Sequence, residues 1–318
     1  MEKTKKGLSL HISRKVALWT YLATLIAGLA VRTIQMLVTA IDFRTGFYEE
    51  GHFSVPLLTG ILWVGLIVTG LILWFGEGRY PARLGKEGRA VGLVITISSL
   101  SILAFGIYSF IHDMISDYAS PNLVLLIVDA VLLVLSAVSL AFFGLRLFGR
   151  RVEKGKYNIS LLLPAVWASF RLIKTFFGYT TIANISQNLF DILMLASMAI
   201  FLYTLAKRFS CGGGGHTETL MVISGICTSV FGLIDSIPRM VALFALPPEK
   251  TVSLTMQDFS ILMMVLWITV AMLIHLLGIS HTAEIDQEKV IRDLHDIAGS
   301  AGVEAIDPDD ISPADSVE

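Results

Sequence analysis

Long apolar runs separated by short polar segments dominate the chain. Eight of them lie near 16–41, 54–75, 90–111, 122–147, 158–178, 187–208, 219–244 and 258–279. Each is about the ~20 residues that a helix needs to cross a hydrocarbon core. A helix satisfies its own backbone hydrogen bonds, which lipid cannot do. The pattern therefore predicts an all-α, polytopic transmembrane helix bundle of eight spans over 1–280. A polar segment, 281–318, follows. Within it Ala283 to Ile297 can form a short amphipathic helix with Val290, Leu294 and Ile297 on one stripe. The remainder is acidic and Pro-containing, a composition that favours disorder.

Charge in the connections fixes an expected orientation. Cytoplasmic loops carry an excess of Lys and Arg. The N-terminal segment holds Lys3, Lys5, Lys6, Arg14 and Lys15, and the 76–89 connection holds Arg79, Arg83, Lys86 and Arg89. Arg146, Arg150, Arg151, Lys154 and Lys156 surround the fourth connection, and Lys207 and Arg208 open the sixth. The alternate connections hold only Arg44, only Lys250, or no basic residue. This alternation predicts N-in and C-in. The first run is longer than a signal-peptide core and contains Arg32, so it is read as a retained span.

Composition agrees. Charged residues make up 16% of the chain and its mean hydropathy is +0.73. A soluble domain carries about 25% charged residues. The net charge of −2 hides an asymmetry: from His281 to Glu318 eleven acidic residues face two basic ones, which leaves about +7 on the bundle. The lipid bilayer is thus one partner, and the acidic tail could dock a cytoplasmic one. The basic residues sit in short loops between apolar runs, so nucleic acid is not an expected partner. Cys211 and Cys227 form no disulfide framework, and no Cys/His cluster has zinc spacing.

Candidate chemistry rests on ionisable residues inside the apolar runs: Arg32, Asp129, Arg171, Lys174, Asp191, Asp235 and Arg239. Exposing such a group to hydrocarbon costs ~2.5–3.5 kcal/mol even on the mildest scale. With the expected orientation, all seven fall in the outer half of the bilayer or near its middle. Asp235 and Arg239, four apart, can pair on one helix face. Arg171 and Lys174, three apart, share a face and need a counter-charge: Asp129, Asp191 or a bound anion. Pro238 is expected to kink the seventh span and Pro164 the fifth. The seven residues are the expected solute-binding set, in an outward-facing cavity for a small polar or anionic solute. Snorkelling or structural ion pairing is the competing explanation.

Other features carry less. Asp42, Glu49, Glu50 and His52 of the first outer loop, with His112, Asp113 and Asp117 of the second, could hold a divalent metal if the loops met, but dispersed loop charges are more often solvated; no metal or cofactor is expected. Gly212 to Gly215 lacks the Lys-Ser/Thr of a phosphate loop and reads as a flexible cytoplasmic linker setting the last two spans apart. No H-E-x-x-H or G-x-S-x-G motif is present, so no catalytic residue is assigned. Arg32-Thr-Ile-Gln and Arg171-Leu-Ile-Lys suggest a weak internal repeat. A sensor or scaffold signalling through the tail, and a membrane-embedded enzyme, are the alternatives to a solute carrier.

Three segments carry a resemblance: Asp42-Phe-Arg-Thr-Gly-Phe-Tyr, the run from Phe170 through Phe177, and Asn188-Leu-Phe-Asp-Ile-Leu. Together the chain resembles uncharacterised polytopic membrane proteins of anaerobic Firmicutes. The resemblance implies a bacterial cytoplasmic membrane and no particular chemistry.

Overall fold

The computed structural model describes residues 2–37, 52–75, 88–115, 123–149, 160–179, 185–212, 215–245 and 259–277. They form eight α-helices: α1 Glu2–Leu37, α2 Ser54–Phe75, α3 Gly88–Ile115, α4 Leu123–Phe148, α5 Leu162–Tyr179, α6 Ile185–Lys207, α7 Gly215–Ala245 and α8 Phe259–Leu277. Each coincides with one apolar run. Six (α1–α4, α6 and α7) are long and apolar enough to cross a membrane. The apolar part of α8, Ile261–Leu276, is shorter. α5 is only 18 residues long and carries Arg171 and Lys174.

Local chemistry sets several helix ends. His52 and Ser54 interact through Nδ1 and Oγ at 2.7 Å, and Val55 N–H donates to the His52 carbonyl, so the start of α2 is capped. Pro164 falls in the first turn of α5, where no intrahelical N–H is needed, and not at the mid-helix kink that the sequence suggested. Pro238 does lie inside α7, and the helix runs on through it. α1 reaches back to Glu2, well before its apolar run.

The packing forms a circuit. α7 packs on α6, α6 on α5, α5 on α4, α4 on α3, α3 on α8, and α8 on α7. α1 and α2 pair with each other and both lie on α7. The interior is filled by fully buried large side chains, including Trp167, Trp267, Phe201 and Met194. Phe201 and Trp267 join α6 to α8 at 5.6 Å between ring centres. On α3 and α4 the backbones themselves meet: a Cβ on Gly92 would lie 2.5 Å from the Phe148 amide nitrogen and 2.7 Å from the Gly144 carbonyl oxygen. Small residues allow this approach, on which helix association in lipid depends.

α7 is the central helix. Of its apolar window, 78% is buried, against 22% for α2. The sixth connection, read from its glycines as a flexible linker, lies partly outside the described residues. A π-helical turn, Arg208–Gly212, continues α6, and α7 begins at Gly215. Arg208 and Glu218 pair across that turn at 3.5 Å, and Phe209 packs edge-on against Phe143 of α4. The first contact links the end of α6 to α7, and the second links it to α4.

The outside of the bundle is as apolar as the inside. Trp63, Val64 and Ile67 on α2 and Val124, Val131 and Phe142 on α4 are all exposed. A helix in water would place polar residues there. Contiguous apolar surface on several helices calls for an apolar solvent.

Candidate charged sites at one end of the bundle

Antiparallel packing brings the C-terminal ends of α1, α5 and α7 level with the N-terminal ends of α2, α4 and α6. All seven candidate residues sit at that end. They assemble into two groups.

The first group joins α4 and α5. Arg171 Nη1 donates to Asp129 Oδ2 at 2.7 Å, and Lys174 Nζ donates to the same oxygen at 2.6 Å. The i, i+3 spacing on α5 lets both cations converge on one acceptor. Asp129 is buried, whereas the side chains of Arg171 and Lys174 keep 19% and 31% of their exposure. The other carboxylate oxygen, Asp129 Oδ1, is buried and accepts no hydrogen bond among the described residues. Two cations thus share one carboxylate oxygen. Asp129 and Arg171 line a small cleft with Gly106, Ser109 and Phe110 of α3. Its volume is about 20 Å³, enough for a water-sized group.

The second group joins α1, α6 and α7. Arg239 Nη2 lies 2.8 Å from Asp235 Oδ1, as the i, i+4 spacing predicts, and 3.5 Å from Asp191 Oδ2. Both carboxylate oxygens of Asp235 are buried and accept no well-aligned hydrogen bond among the described residues, so its link to Arg239 is an ion pair. Arg32 Nη1 donates to Gln35 Oε1 at 3.2 Å, and its guanidinium stands 5.2 Å from the centre of the Phe190 ring. That distance permits a cation–π interaction. Gln35 in turn donates to Ser54 Oγ of α2 at 3.1 Å. Arg32 and Asp235 are fully buried and Arg239 nearly so. Two arginines and two aspartates give this group no formal charge.

Several participants were not singled out from sequence. Gln35 and Phe190 were discoverable, being one helical turn from Arg32 and adjacent to Asp191. The hydroxyl hub at mid-bundle was not: Ser229 of α7 meets Tyr21 of α1 at 2.5 Å and accepts from Thr269 of α8 at 2.9 Å. Thr228 also donates to Ser197 of α6 at 3.1 Å. Serine and threonine occur in every span, and nothing in one sequence marks which of them meet.

Among the described residues no three His, Cys, Asp or Glu side chains cluster as a metal site would require. Asp42, Glu49, Glu50 and Asp117, and the side chains of His112 and Asp113, lie outside what the structure describes. So does the acidic tail, 281–318.

Apolar spans, an apolar exterior and ionisable residues turned inward define a multi-pass integral membrane protein. Comparison with family models, curated proteins and solved structures gives no match. The resemblance to Firmicutes membrane proteins thus gains no support, and no family is identified.

Proposed function

We propose that the protein binds a small polar or anionic solute at the α4–α5 charged group and carries it across a bacterial cytoplasmic membrane. In this reading all eight helices span, and both termini face the cytoplasm. The carrying observation is a partly exposed cationic pair beside a cleft. Arg171 and Lys174 share a single oxygen of Asp129 and remain partly exposed. Cations at membrane depth usually face a polar interior, and charge-assisted donors held by Asp129 suit a polar or anionic solute.

The second group supports a different part of the reading. Arg32, Asp191, Asp235 and Arg239 balance one another and are closed from solvent. Their role is to fix α1, α6 and α7 so that the other group keeps its geometry. Uptake of labelled anions into vesicles tests the proposal, using Arg171→Ala and Arg239→Ala proteins reconstituted at equal density. Loss of uptake in Arg171→Ala supports it. Unchanged uptake in both variants would reduce the embedded charges to a structural role.

A further inference from the structure

A chain of hydrogen bonds leads from the start of α2 to the buried charges. Arg32 Nη1 donates to Gln35 Oε1, Gln35 Nε2 donates to Ser54 Oγ, and Ser54 Oγ stands 2.7 Å from His52 Nδ1. Arg32, Gln35 and Ser54 are buried, whereas His52 is half-buried. The chain has one direction. Gln35 turns its oxygen to a guanidinium, which can only donate, so its amide nitrogen faces Ser54. Ser54 Oγ accepts that bond and is left to donate to His52. The Ser54 backbone N–H donates to the same ring nitrogen, at 3.4 Å. His52 Nδ1 thus receives two donors, and this network assigns the neutral ring with its hydrogen on Nε2.

A further proton then has one place to go. Nδ1 is the only unprotonated nitrogen of that ring, and an imidazole gains its proton between about pH 8 and pH 5. Once charged, the ring can only donate. The Ser54 amide then faces an N–H where it had an acceptor. The Ser54 hydroxyl can turn and accept from Nδ1, but no second acceptor for its own hydrogen stands against it among the described residues. Ser54 is buried, so water does not make up the loss. The first turn of α2 thereby loses its side-chain cap.

Other charges at this end belong to the same neighbourhood. α2 carries none and packs on α1 and α7. There α1 brings Arg32, and α7 brings Asp235 and Arg239, with Asp191 of α6 on the same guanidinium. Of these, Arg32 is the one joined to His52 by the chain. α2 is also lightly held, with 22% of its apolar window buried.

We infer that His52 is a pH-operated latch: neutral, it holds the start of α2 to Gln35 and Arg32 of α1; charged, it releases that end. The bonds need an unprotonated Nδ1, so the latch is closed at high pH and opens as pH falls. In the proposed orientation this end faces outward, and the proton comes from outside the cell. Release reaches the buried charges, because Gln35, the acceptor of Arg32, gives up Ser54. The latch does not depend on the α4–α5 group and stands or falls without it.

Hydrogen exchange reads the latch. The full chain in nanodiscs is exchanged at pH 5 and pH 8, which bracket imidazole titration. Rates are corrected for the intrinsic chemistry of exchange, and protection is measured by mass spectrometry over peptides from the start of α2 and the centre of α7. In the native chain the first-turn amides of α2 should exchange about fivefold faster at pH 5, the effect of losing one helix cap. The α7 peptides should not change. His52→Asn keeps a side-chain acceptor that does not titrate, and His52→Ala has none. Both should lose the dependence on pH, with the Asn chain protected and the Ala chain open at both values. Equal protection of native α2 at the two pH values would overturn the inference. So would a pH dependence that survives in His52→Asn, which would assign the titration to another group, or one shared equally by α7, which would make it a general loosening.

Discussion

Replacing Arg239 by methionine isolates the energetics of the α1–α6–α7 group. Methionine keeps the length and the apolar stem and removes the charge. In the native protein one guanidinium serves two carboxylates, Asp235 at 2.8 Å and Asp191 at 3.5 Å. The Asp235 side chain has no solvent exposure and that of Asp191 only 13%. Two explanations predict different magnitudes. If Arg239 contributes only hydrogen bonds, double-mutant cycles in membrane proteins put its loss at ~0.6 kcal/mol, at most ~1.7. If it compensates buried charge, removing one partner costs ~3–5 kcal/mol. The burial of Asp235 favours the larger figure. SDS-driven unfolding in mixed micelles, followed by far-UV circular dichroism and by emission from the buried Trp167 and Trp267, reads the difference. Adding Asp235→Asn to the Arg239→Met chain removes the more deeply buried of the two carboxylates that Arg239 serves. That double variant should recover ~1–3 kcal/mol, the range found for coupled neighbours. A single-variant loss below ~1 kcal/mol on the same measurement, or a double variant weaker than the single, would refute compensation.

Other predictions follow from packing and polar contacts. Gly92→Ala drives a methyl into the backbone of α4, so it should destabilise the protein by ~1–3 kcal/mol. Gly60→Ala and Gly70→Ala meet nothing within 4 Å and should be neutral or stabilising by ~0.5–1 kcal/mol in the same SDS titration. Ser229→Ala removes the hub between Tyr21 and Thr269; its cost should be ~0.6–1.7 kcal/mol per contact, and should shrink when Tyr21→Phe is already present. A cysteine at Thr45 should label on intact cells and one at Lys154 only on inverted vesicles if both termini are cytoplasmic. The reverse pattern would overturn the N-in, C-in orientation.

The helices were legible because lipid imposes a simple rule on sequence. The run 54–75 is α2, Ser54–Phe75, and 122–147 is α4, Leu123–Phe148, shifted by one residue. The start of α5 was placed four residues early, since hydrophobicity does not reveal that Pro164 belongs to a first turn. Within a helix, pairing could also be read: Asp235 and Arg239 lie on one face whatever surrounds them. Pairing between helices could not. Asp129 and Asp191 were equivalent candidates to balance Arg171 and Lys174, and only the packing of α4 on α5 selects Asp129. The centrality of α7 left a trace that apolar runs conceal. Glu218, Ser224, Thr228, Ser229, Asp235, Ser236 and Arg239 fall on one arc of about 140° at helical spacing, opposite the exposed Leu220, Ile237 and Val241. A polar arc that wide needs partners inside the bundle and leaves only a narrow apolar face for lipid.

That last property bears on how the chain is made. A helix emerging from the ribosome enters the membrane alone, and α7 is poorly suited to wait there. It arrives after α1, α2 and α6 and before α8, which together enclose it. Arg32 and Asp191 reach the bilayer well before Asp235 and Arg239, so half of a neutral group exists without its complement while the seventh segment is synthesised. The nascent chain must shelter that vacancy, whether at the insertion machinery or by holding α1 against α6. A pause or truncation between residues 210 and 245 would strand it there, making this stretch of translation the step at which quality control should act most often.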